Sequence, residues 1–380
     1  MLQTQVVDER VDGYHYLYTD NRIISTQKAL RLSRHSLEET DIEMDQSAVQ
    51  HTLKQIYSKT LDIERNQAGL IYVMYNDQFP GQQISTASYG HAKGVTAFGS
   101  QTGFWMVHSV PNFPNSLLGG YEWPGNGLNN GQVMLCISLT TSYLQQVSAN
   151  MVLRQVYAYE THVEESVLND FISQQQNPQE WQQWKASVEA ALEEIGNQDT
   201  TVSRSKLLTQ NYPQGTAAPN WEFINTYNPQ ENRPKQPVHF LAKTSAYGVN
   251  FYSWLAEFYQ INRVPNQFDG MRVQTWRSGS GGPLPSYCPD ASYGSVSLVP
   301  TFMVQNVQMI TAENTLNQPN SRLRSRNGAY TVPFNWPYRK DHSKWGIGIS
   351  GRNFPTGIVC IGDVNRVVSS QLEYHLCSLA

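Results

Sequence analysis

The chain has 380 residues, a formal net charge of −4 with neutral histidines, and only 15% charged residues. This length allows two domains or one large duplicated domain, and the charge argues against a generally basic nucleic-acid binder at neutral pH. Charging all nine histidines would take the net charge from −4 to +5, so a polyanion would bind better in acid.

Helical and strand patterns alternate along the first half of the chain. Asp45 or Ser47 can cap a helix whose apolar face includes Val49 and Leu53. Residues 111–131 are rich in Pro, Gly and Asn, which predicts an irregular loop. The other predicted elements are strands over 14–18, 69–75 and 133–139, a helix over 142–154, and a helical stretch over 163–196 that Asn177-Pro178 breaks in two.

A polar, Pro-rich segment over 198–237 separates this part from the rest of the chain. It is the best candidate for a connection, so we predict an N-terminal half over 1–197 and a C-terminal half over 238–380. Alternating strands and helices are typical of an α/β fold. The predicted elements of the C-terminal half are strands over 238–243, 271–276 and 296–309 and a helix over 252–259.

One short pattern occurs twice, once in each predicted half. His91-Ala92-Lys93 is followed by a five-residue strand, a turn and an apolar strand that ends at His108. His342-Ser343-Lys344 is followed by a similar strand, a turn through Gly351 and Gly357, and a strand that ends near Asp363. This duplication predicts that the two His-x-Lys pairs meet at one site.

The His-x-Lys pairs suit phosphate chemistry. Residues i and i+2 of an extended strand point to the same face, so each pair presents an imidazole beside an ammonium group. Lys can neutralise phosphate oxygens while His attacks phosphorus or protonates the leaving oxygen. A single copy would be explained as well by a surface His and Lys sharing a strand face, but two copies in matching contexts favour function.

Several ordered blocks resemble the deoxyribonuclease II family between about residue 68 and residue 377. They are Tyr75-Asn76-Asp77-Gln78, Gly90-His91-Ala92-Lys93-Gly94, residues 103–114, Trp276-Arg277, Asp341-His342-Ser343-Lys344-Trp345, and residues 360–366. The resemblance implies a duplicated phospholipase D-like α/β fold, with two mixed sheets flanked by helices and the active site between the halves. It also implies DNA as substrate, acid pH, 3′-phosphate products and no metal or cofactor. Homodimers are common in the family.

By the same resemblance, His91, Lys93, His342 and Lys344 are the catalytic residues. We assign His91 as the nucleophile that forms a phosphohistidine and His342 as the acid, although pseudo-symmetry would allow the reverse.

Five further residues are supporting candidates. His108 and Asp363 could orient the imidazoles or simply anchor the strands. Asn76, Asn112 and Asn365 could contact phosphate, although amides in loops often satisfy turns.

The cysteines and the N-terminus depart from the family. The family's first strand and N-terminal cysteine have no clear counterpart before Tyr14, so Cys136 lacks its expected partner. Gly346 stands where animal members carry a cysteine, which leaves Cys360 unpaired. The remaining disulfide that the resemblance implies is Cys288–Cys377, if the compartment is oxidising.

The sequence leaves the location open. The family implies a lysosomal or secreted protein, but the chain shows neither a signal peptide nor an Asn-x-Ser/Thr sequon. The other location that we consider is that of a bacterial secreted or periplasmic protein. No run of about 18 apolar residues predicts a membrane span. Two other functions remain: a phospholipase D-like phosphodiesterase acting on another substrate, and an inactive paralogue that binds DNA or protein.

Overall fold

A computed structural model gives the fold. It describes residues 2–3, 16–17, 47–57, 69–82, 86, 89–197, 221–224, 237–240, 251–253, 255, 268–278, 282–284, 286, 303–311, 324–325, 328–329, 335–350 and 354–366. The predicted cysteine pair Cys288–Cys377 lies outside these residues.

The larger sheet belongs to the N-terminal half and has seven strands in the order β2-β1-β6-β5-β4-β3-β7. Each described pairing in this sheet is antiparallel. Strands β3 to β6, which follow one another along the chain, are also neighbours in the sheet. The seven strands are β1 (Leu2–Gln3), β2 (Tyr16–Leu17), β3 (Ile71–Asn76), β4 (Lys93–Phe98), β5 (Thr102–His108), β6 (Gln132–Thr140) and β7 (Ala158–His162).

Helices cover one face of this sheet. They are α2 (Leu144–Leu153), α3 (Glu165–Ser173) and α4 (Gln182–Gly196), and a short 3₁₀ turn at Pro178–Trp181 separates α3 from α4 at the predicted break. Val73, Trp105 and Leu139 of the sheet share one buried cluster with Leu168 and Val188 of the helices. Burial of this apolar surface is the main source of the layer's stability.

The opposite face is covered by α1 (Ala48–Tyr57) and by the loop between β5 and β6. Met74 and Met106 of the sheet pack in a second cluster with Leu53 of α1 and with Phe113 and Trp123 of the loop. Both faces of the sheet are thus covered, so all six residues of β3 are buried. The Ser47 hydroxyl accepts a hydrogen bond from the Gln50 N–H at 3.0 Å, which confirms Ser47 as the helix cap.

The C-terminal half contains a four-stranded sheet in the order β11-β10-β16-β17. Strands β10 and β11 are parallel, and the other pairs are antiparallel. Met271 and Val304 of this sheet form a third cluster with Tyr252 and Leu255. The strands described in this half are β9 (Pro237–Phe240), β10 (Gly270–Gln274), β11 (Met303–Asn306), β12 (Met309–Thr311), β13 (Arg324–Ser325), β14 (Gly328–Ala329), β15 (Asn335–Pro337), β16 (Trp345–Ser350) and β17 (Phe354–Ile361), and β8 (Trp221–Ile224) pairs with β9.

Each predicted strand-turn-strand unit is an antiparallel hairpin. Strand β4 pairs with β5 after the first His-x-Lys sequence, and β16 pairs with β17 after the second. A third strand lies at the same place in each half, because β3 pairs with β4 and β10 pairs with β16. The repeat seen in the sequence therefore extends to a three-stranded unit in each half.

The two halves are joined through main-chain contacts at the second motif. Gly131, just before β6, donates its N–H to the Lys340 carbonyl and accepts from the His342 N–H, both at 2.8 Å. The Arg154 guanidinium, at the end of α2, pairs with the Asp363 carboxylate just after β17. These contacts bring both ends of the second hairpin to the first half.

Several sequence predictions were wrong. The prediction of two mixed sheets fails for the larger one, because strand order depends on pairings between distant segments. Residues before Tyr14 do contribute a strand, since β1 pairs with β2 and β6. Gly357 lies inside β17 and not in a turn, and the polar segment 198–237 contains β8. Its role as a domain connection stays a prediction.

Gly90 holds the first motif against the turn after α2. Its N–H donates to the Gln155 carbonyl at 2.8 Å, and a Cβ added at this position would lie 1.9 Å from the Arg154 carbonyl oxygen. Contacts this short require the backbone to move.

We therefore expect Gly90→Ala to destabilise the protein by about 1–3 kcal/mol, the range for overpacked sites. Gly99→Ala is the matched control, because the nearest atoms to its added Cβ lie at an ordinary 3.6 Å. Denaturant unfolding followed by circular dichroism measures both. Equal unfolding free energies for the two variants would contradict the tight fit at Gly90.

Candidate active site

The imidazole of His91 is fixed by the other half of the chain. Its Nδ1 lies 2.9 Å from the main-chain carbonyl oxygen of Asp363. A carbonyl can only accept, so Nδ1 carries the proton and Nε2 presents a lone pair. The side chain is 45% exposed, so a substrate can reach the ring from its exposed side.

Lys93 lies beside this lone pair. Its Nζ is 3.5 Å from His91 Nε2 and is hydrogen-bonded to the Asp77 carboxylate. The Lys93 side chain is only 3% exposed, and a buried ammonium group requires such a partner. Asp77 also reaches within 3.9 Å of His91 Nε2.

The second motif is built differently. Lys344 is buried and donates from Nζ to the main-chain carbonyl of its own His342 at 2.7 Å. The His342 ring packs against the Trp276 indole, with ring centroids 4.6 Å apart at 47°. Asp341 is fully buried beside them, and its carboxylate accepts the Ser343 N–H at 2.8 Å.

The two motifs share one electrostatic environment. The charge of Lys93 is the first cause that lowers the pKa of His91 to about 3, followed by burial, and Lys344 lowers it further. Burial, then Lys344 and then Lys93 lower the pKa of His342 to about 4. The charge of each lysine therefore lowers the pKa of the histidine in the other half.

The two buried lysines also act on each other. Burial and then the charge of Lys93 lower the pKa of Lys344 to about 7. Burial is also the first cause that lowers the pKa of Lys93, whereas the Asp77 carboxylate raises this pKa. A phosphate anion between the lysines would relieve this repulsion, so the arrangement favours an anionic ligand.

His108 and Asp363 do not occupy equivalent places. Gly94 lies opposite Val107 in the first hairpin, whereas Trp345 lies opposite Ile361 in the second. Relative to the lysines, His108 therefore corresponds to Gly362, and Asp363 corresponds to Ser109. A shift of one residue turns a strand side chain to the other face.

The surroundings of His108 and Asp363 differ accordingly. His108 is buried, its Nδ1 accepts from the Val110 N–H at 3.3 Å, and its ring meets Phe113 edge-on. Burial, followed by the charge of Lys93, lowers its pKa to about 3. Asp363 contacts His91 directly, but through its carbonyl and not through its carboxylate.

The three asparagine candidates lie in different surroundings. Asn76 is buried and donates to the carbonyls of Val110 and Phe113 at 3.2 and 2.8 Å, which holds the loop after β5. Asn112 has a positive φ of 56° and donates to the carbonyls of Gln78 and Phe79. Within the described chain, the side-chain oxygen of Asn365 is buried without a hydrogen-bond partner.

Two of the four cysteines lie in described positions. Cys136 and Cys360 are both free. Cys360 lies directly opposite Gly346 in the β16–β17 pair. The cysteine that we predict to be unpaired is therefore next to the glycine that stands at the position of its expected partner.

Sequence reasoning missed four residues that surround the motifs: Asp77, Arg154, Trp276 as a neighbour of His342, and Asp341. Asp77 and Asp341 were visible only as members of resembling blocks. Arg154 gave no signal, because its partner Asp363 is far away along the chain.

Two features are absent from the residues that the structure describes. Within those ranges, no three His, Cys, Asp or Glu side chains are grouped so that they could hold a metal ion. The helices of the same ranges include none that is long and apolar enough to cross a membrane.

Paired imidazole and ammonium groups around one anion-favouring space are suited to the cleavage of a phosphodiester. Comparison with known proteins gives the family: residues 4–374 match deoxyribonuclease II, and the chain belongs to this family. The resemblance seen in the sequence is thus confirmed, and it extends closer to the N-terminus than the motifs indicated.

Several relatives are similar over most of the chain. Cell death-related nuclease 6 of Caenorhabditis elegans is 26% identical over 86% of the chain and 67% of its own length. Plancitoxin-1 of Acanthaster planci is 27% identical over 94% of the chain and 75% of its own length. Deoxyribonuclease-2-beta of Mus musculus is 25% identical over 95% of the chain and 77% of its own length.

The shared environment of the two motifs can be tested by removing one charge. We expect Lys93→Met to raise the pKa of His91 in its own half and of His342 in the other, because the Lys93 charge lowers both. NMR titration of the histidine rings measures the shifts. Lys185→Met is the control, since Lys185 pairs with Glu165 on a distant surface. An unmoved His342 titration would show that the two motifs do not share a site.

Proposed function

We propose that this protein is an acid endodeoxyribonuclease that needs no metal and leaves 3′-phosphate ends through a phosphohistidine intermediate. The single observation that best supports this is the state of His91. Its Nδ1–H is held by the Asp363 carbonyl, and its Nε2, which carries the lone pair, lies 3.5 Å from Lys93 Nζ. A fixed tautomer with the lone pair on Nε2 is what a nucleophilic imidazole requires.

In the first step, His91 Nε2 attacks the phosphorus of a DNA phosphodiester. The P–N bond forms while the P–O5′ bond breaks, and the proton on His342 passes to the departing O5′. Lys93 and Lys344 neutralise the non-bridging oxygens, which is the charge stabilisation that phosphoryl transfer needs. The DNA strand with the free 5′-hydroxyl then leaves.

In the second step, water attacks the phosphohistidine. His342, now neutral, takes a proton from the water, the P–N bond breaks, and the 3′-phosphate product is released. His342 is thereby reprotonated and His91 returns to its starting state, so the cycle closes without an external reactant. We assign the phosphate-binding charge to the two lysines, which is why the proposal includes no metal.

We further propose that the fold is a duplicated phospholipase D-like fold. The support is the common three-stranded unit β3-β4-β5 and β10-β16-β17, each carrying its His-x-Lys sequence at the same place. The outer strands differ, since β7 is antiparallel to β3 whereas β11 is parallel to β10. A homodimer stays a prediction from the sequence.

Substitution of the histidines tests the function and the division of roles. We expect His91→Ala and His342→Ala to reduce plasmid nicking at about pH 5 in EDTA by at least about 100-fold, the scale of acid–base catalysis. His51→Ala, on the exposed side of α1, is the control and keeps full activity. Unchanged nicking by either active-site variant would refute the assignment.

A second substrate separates nucleophile from acid. Thymidine 3′-(p-nitrophenyl phosphate) carries a leaving group that departs without a proton. His342→Ala therefore keeps a burst of nitrophenolate, whereas His91→Ala loses it. The opposite pattern would exchange the two roles.

Cleavage of phosphatidylcholine but not of DNA would favour the phosphodiesterase alternative, and DNA binding without cleavage would favour an inactive paralogue.

The pKa values predict the pH dependence. The reaction needs neutral His91 and protonated His342, whose pKa values in the empty site are about 3 and about 4. We expect kcat/KM, which reports the free enzyme, to fall as pH rises above about 4 and further as Lys344 loses its proton near pH 7.

The enzyme with bound substrate should have a different pH dependence from the free enzyme. A bound phosphodiester opposes the lysine charges and raises both imidazole pKa values, so the kcat profile lies at higher pH than the kcat/KM profile. Steady-state kinetics on an oligonucleotide across this range measures both profiles. A kcat/KM that rises between about pH 4 and about pH 7 would contradict the assignment of His342 as acid.

A further inference from the structure

The residue just beyond β3 in the first half and its counterpart just beyond β10 in the second half differ in type. Tyr75 lies opposite Gly94, and Gln274 lies opposite Trp345, so β3 and β10 have the same register relative to the lysines. Two residues further on, Asp77 and Trp276 therefore occupy equivalent places. One half puts a carboxylate beside its His-x-Lys pair, and the other puts an indole there.

This difference changes what holds each imidazole. His91 is oriented by a hydrogen bond from Nδ1 to the Asp363 carbonyl. Across the described parts of the chain, the structure shows no hydrogen bond to either ring nitrogen of His342. The ring contact that it does show is with Trp276, at 4.6 Å between centroids. The indole is partly exposed, so it lies at the wall of the site and not in the core.

An indole suits an imidazole that must carry a proton. The charged groups around His342 are Lys344 and Lys93, which disfavour the imidazolium ion, and Asp341 and Asp77, which lie near the lysines. The face of an indole attracts a cation and so opposes the lysines. A carboxylate at the same place would instead pair with Lys344, as Asp77 pairs with Lys93, and would compete with phosphate for it.

We propose that Trp276 is a positioning residue for the general acid: its indole holds the His342 ring towards the leaving oxygen and favours the protonated ring. This inference rests on the proposed function, because it takes His342 as the acid. It goes beyond that function in explaining why the two halves perform different steps.

Removal of the aromatic ring tests the inference. We expect Trp276→Leu to lower kcat on DNA by about tenfold, a part of the 10²–10⁴-fold that a general acid contributes, with little change in KM. The nitrophenolate burst from thymidine 3′-(p-nitrophenyl phosphate) stays at the wild-type level, because that leaving group needs no acid. Trp276→Phe restores most of the kcat on DNA.

Two matched measurements separate positioning from packing. Trp181→Leu removes a partly buried tryptophan that packs on Phe171 and Trp184, away from the site, and leaves both reactions unchanged. NMR titration of His342 shows a lower pKa in Trp276→Leu than in wild type, and an intermediate value in Trp276→Phe. This titration needs no catalysis.

Three results would overturn the inference. An equal loss on both substrates would mean that the indole only supports the fold. A higher KM for DNA with unchanged kcat would mean that it binds a nucleotide. An unmoved His342 titration would exclude the effect on the proton. If the wild type cleaves neither substrate, the proposed function fails, and the titration alone decides the inference.

Discussion

The charges of two buried lysines act on the same pair of imidazoles, and the rest of the site is arranged around these charges. Lys93 and Lys344 lie in different halves of the chain, yet each lowers the pKa of the other half's histidine. The empty site therefore holds repulsion that a phosphodiester can relieve. Affinity and proton supply are then linked, because the anion that the lysines bind also makes it easier to protonate an imidazole.

The same constraint explains the buried acids. Asp77 lies against Lys93, and Asp341 lies beside the second motif. Without such partners, two ammonium groups could not remain charged away from water. The two acids differ, however, in how they contact the lysines. Lys93 has a direct carboxylate partner, whereas the bond seen for Lys344 goes to a main-chain carbonyl, so Lys344 is the more available of the two for phosphate.

The sequence predicted the elements whose signals are local. The Ser47 cap, the buried strand β3 and the break at Asn177-Pro178 all depend on residues within a few positions of each other, and all were confirmed. Strand β7 was missed, because it lies at the sheet edge and its side chains are mostly only partly buried, which leaves no alternating pattern. The antiparallel order of the large sheet was missed because pairing partners are not encoded locally.

Within the site, the sequence predicted which residue types come together but not their contacts. The two His-x-Lys pairs were visible as a repeat, and the structure places them in one electrostatic environment. His108 and Asp363 were taken as equivalent because counting along the chain does not show register, and β16 carries an irregularity between Ile347 and Ile349. The carbonyl of Asp363 could not have been predicted, because any residue supplies a carbonyl.

The hydrogen bond from His91 to Asp363 joins residues 272 positions apart, and the His342 backbone is held by Gly131. Contacts between residues so far apart raise the contact order of the fold, which is associated with slow folding. During synthesis, the first His-x-Lys pair leaves the ribosome long before the carbonyl that orients it. The tautomer of His91 therefore depends on a residue of the other half, so a chain that stops before Asp363 would not fix it.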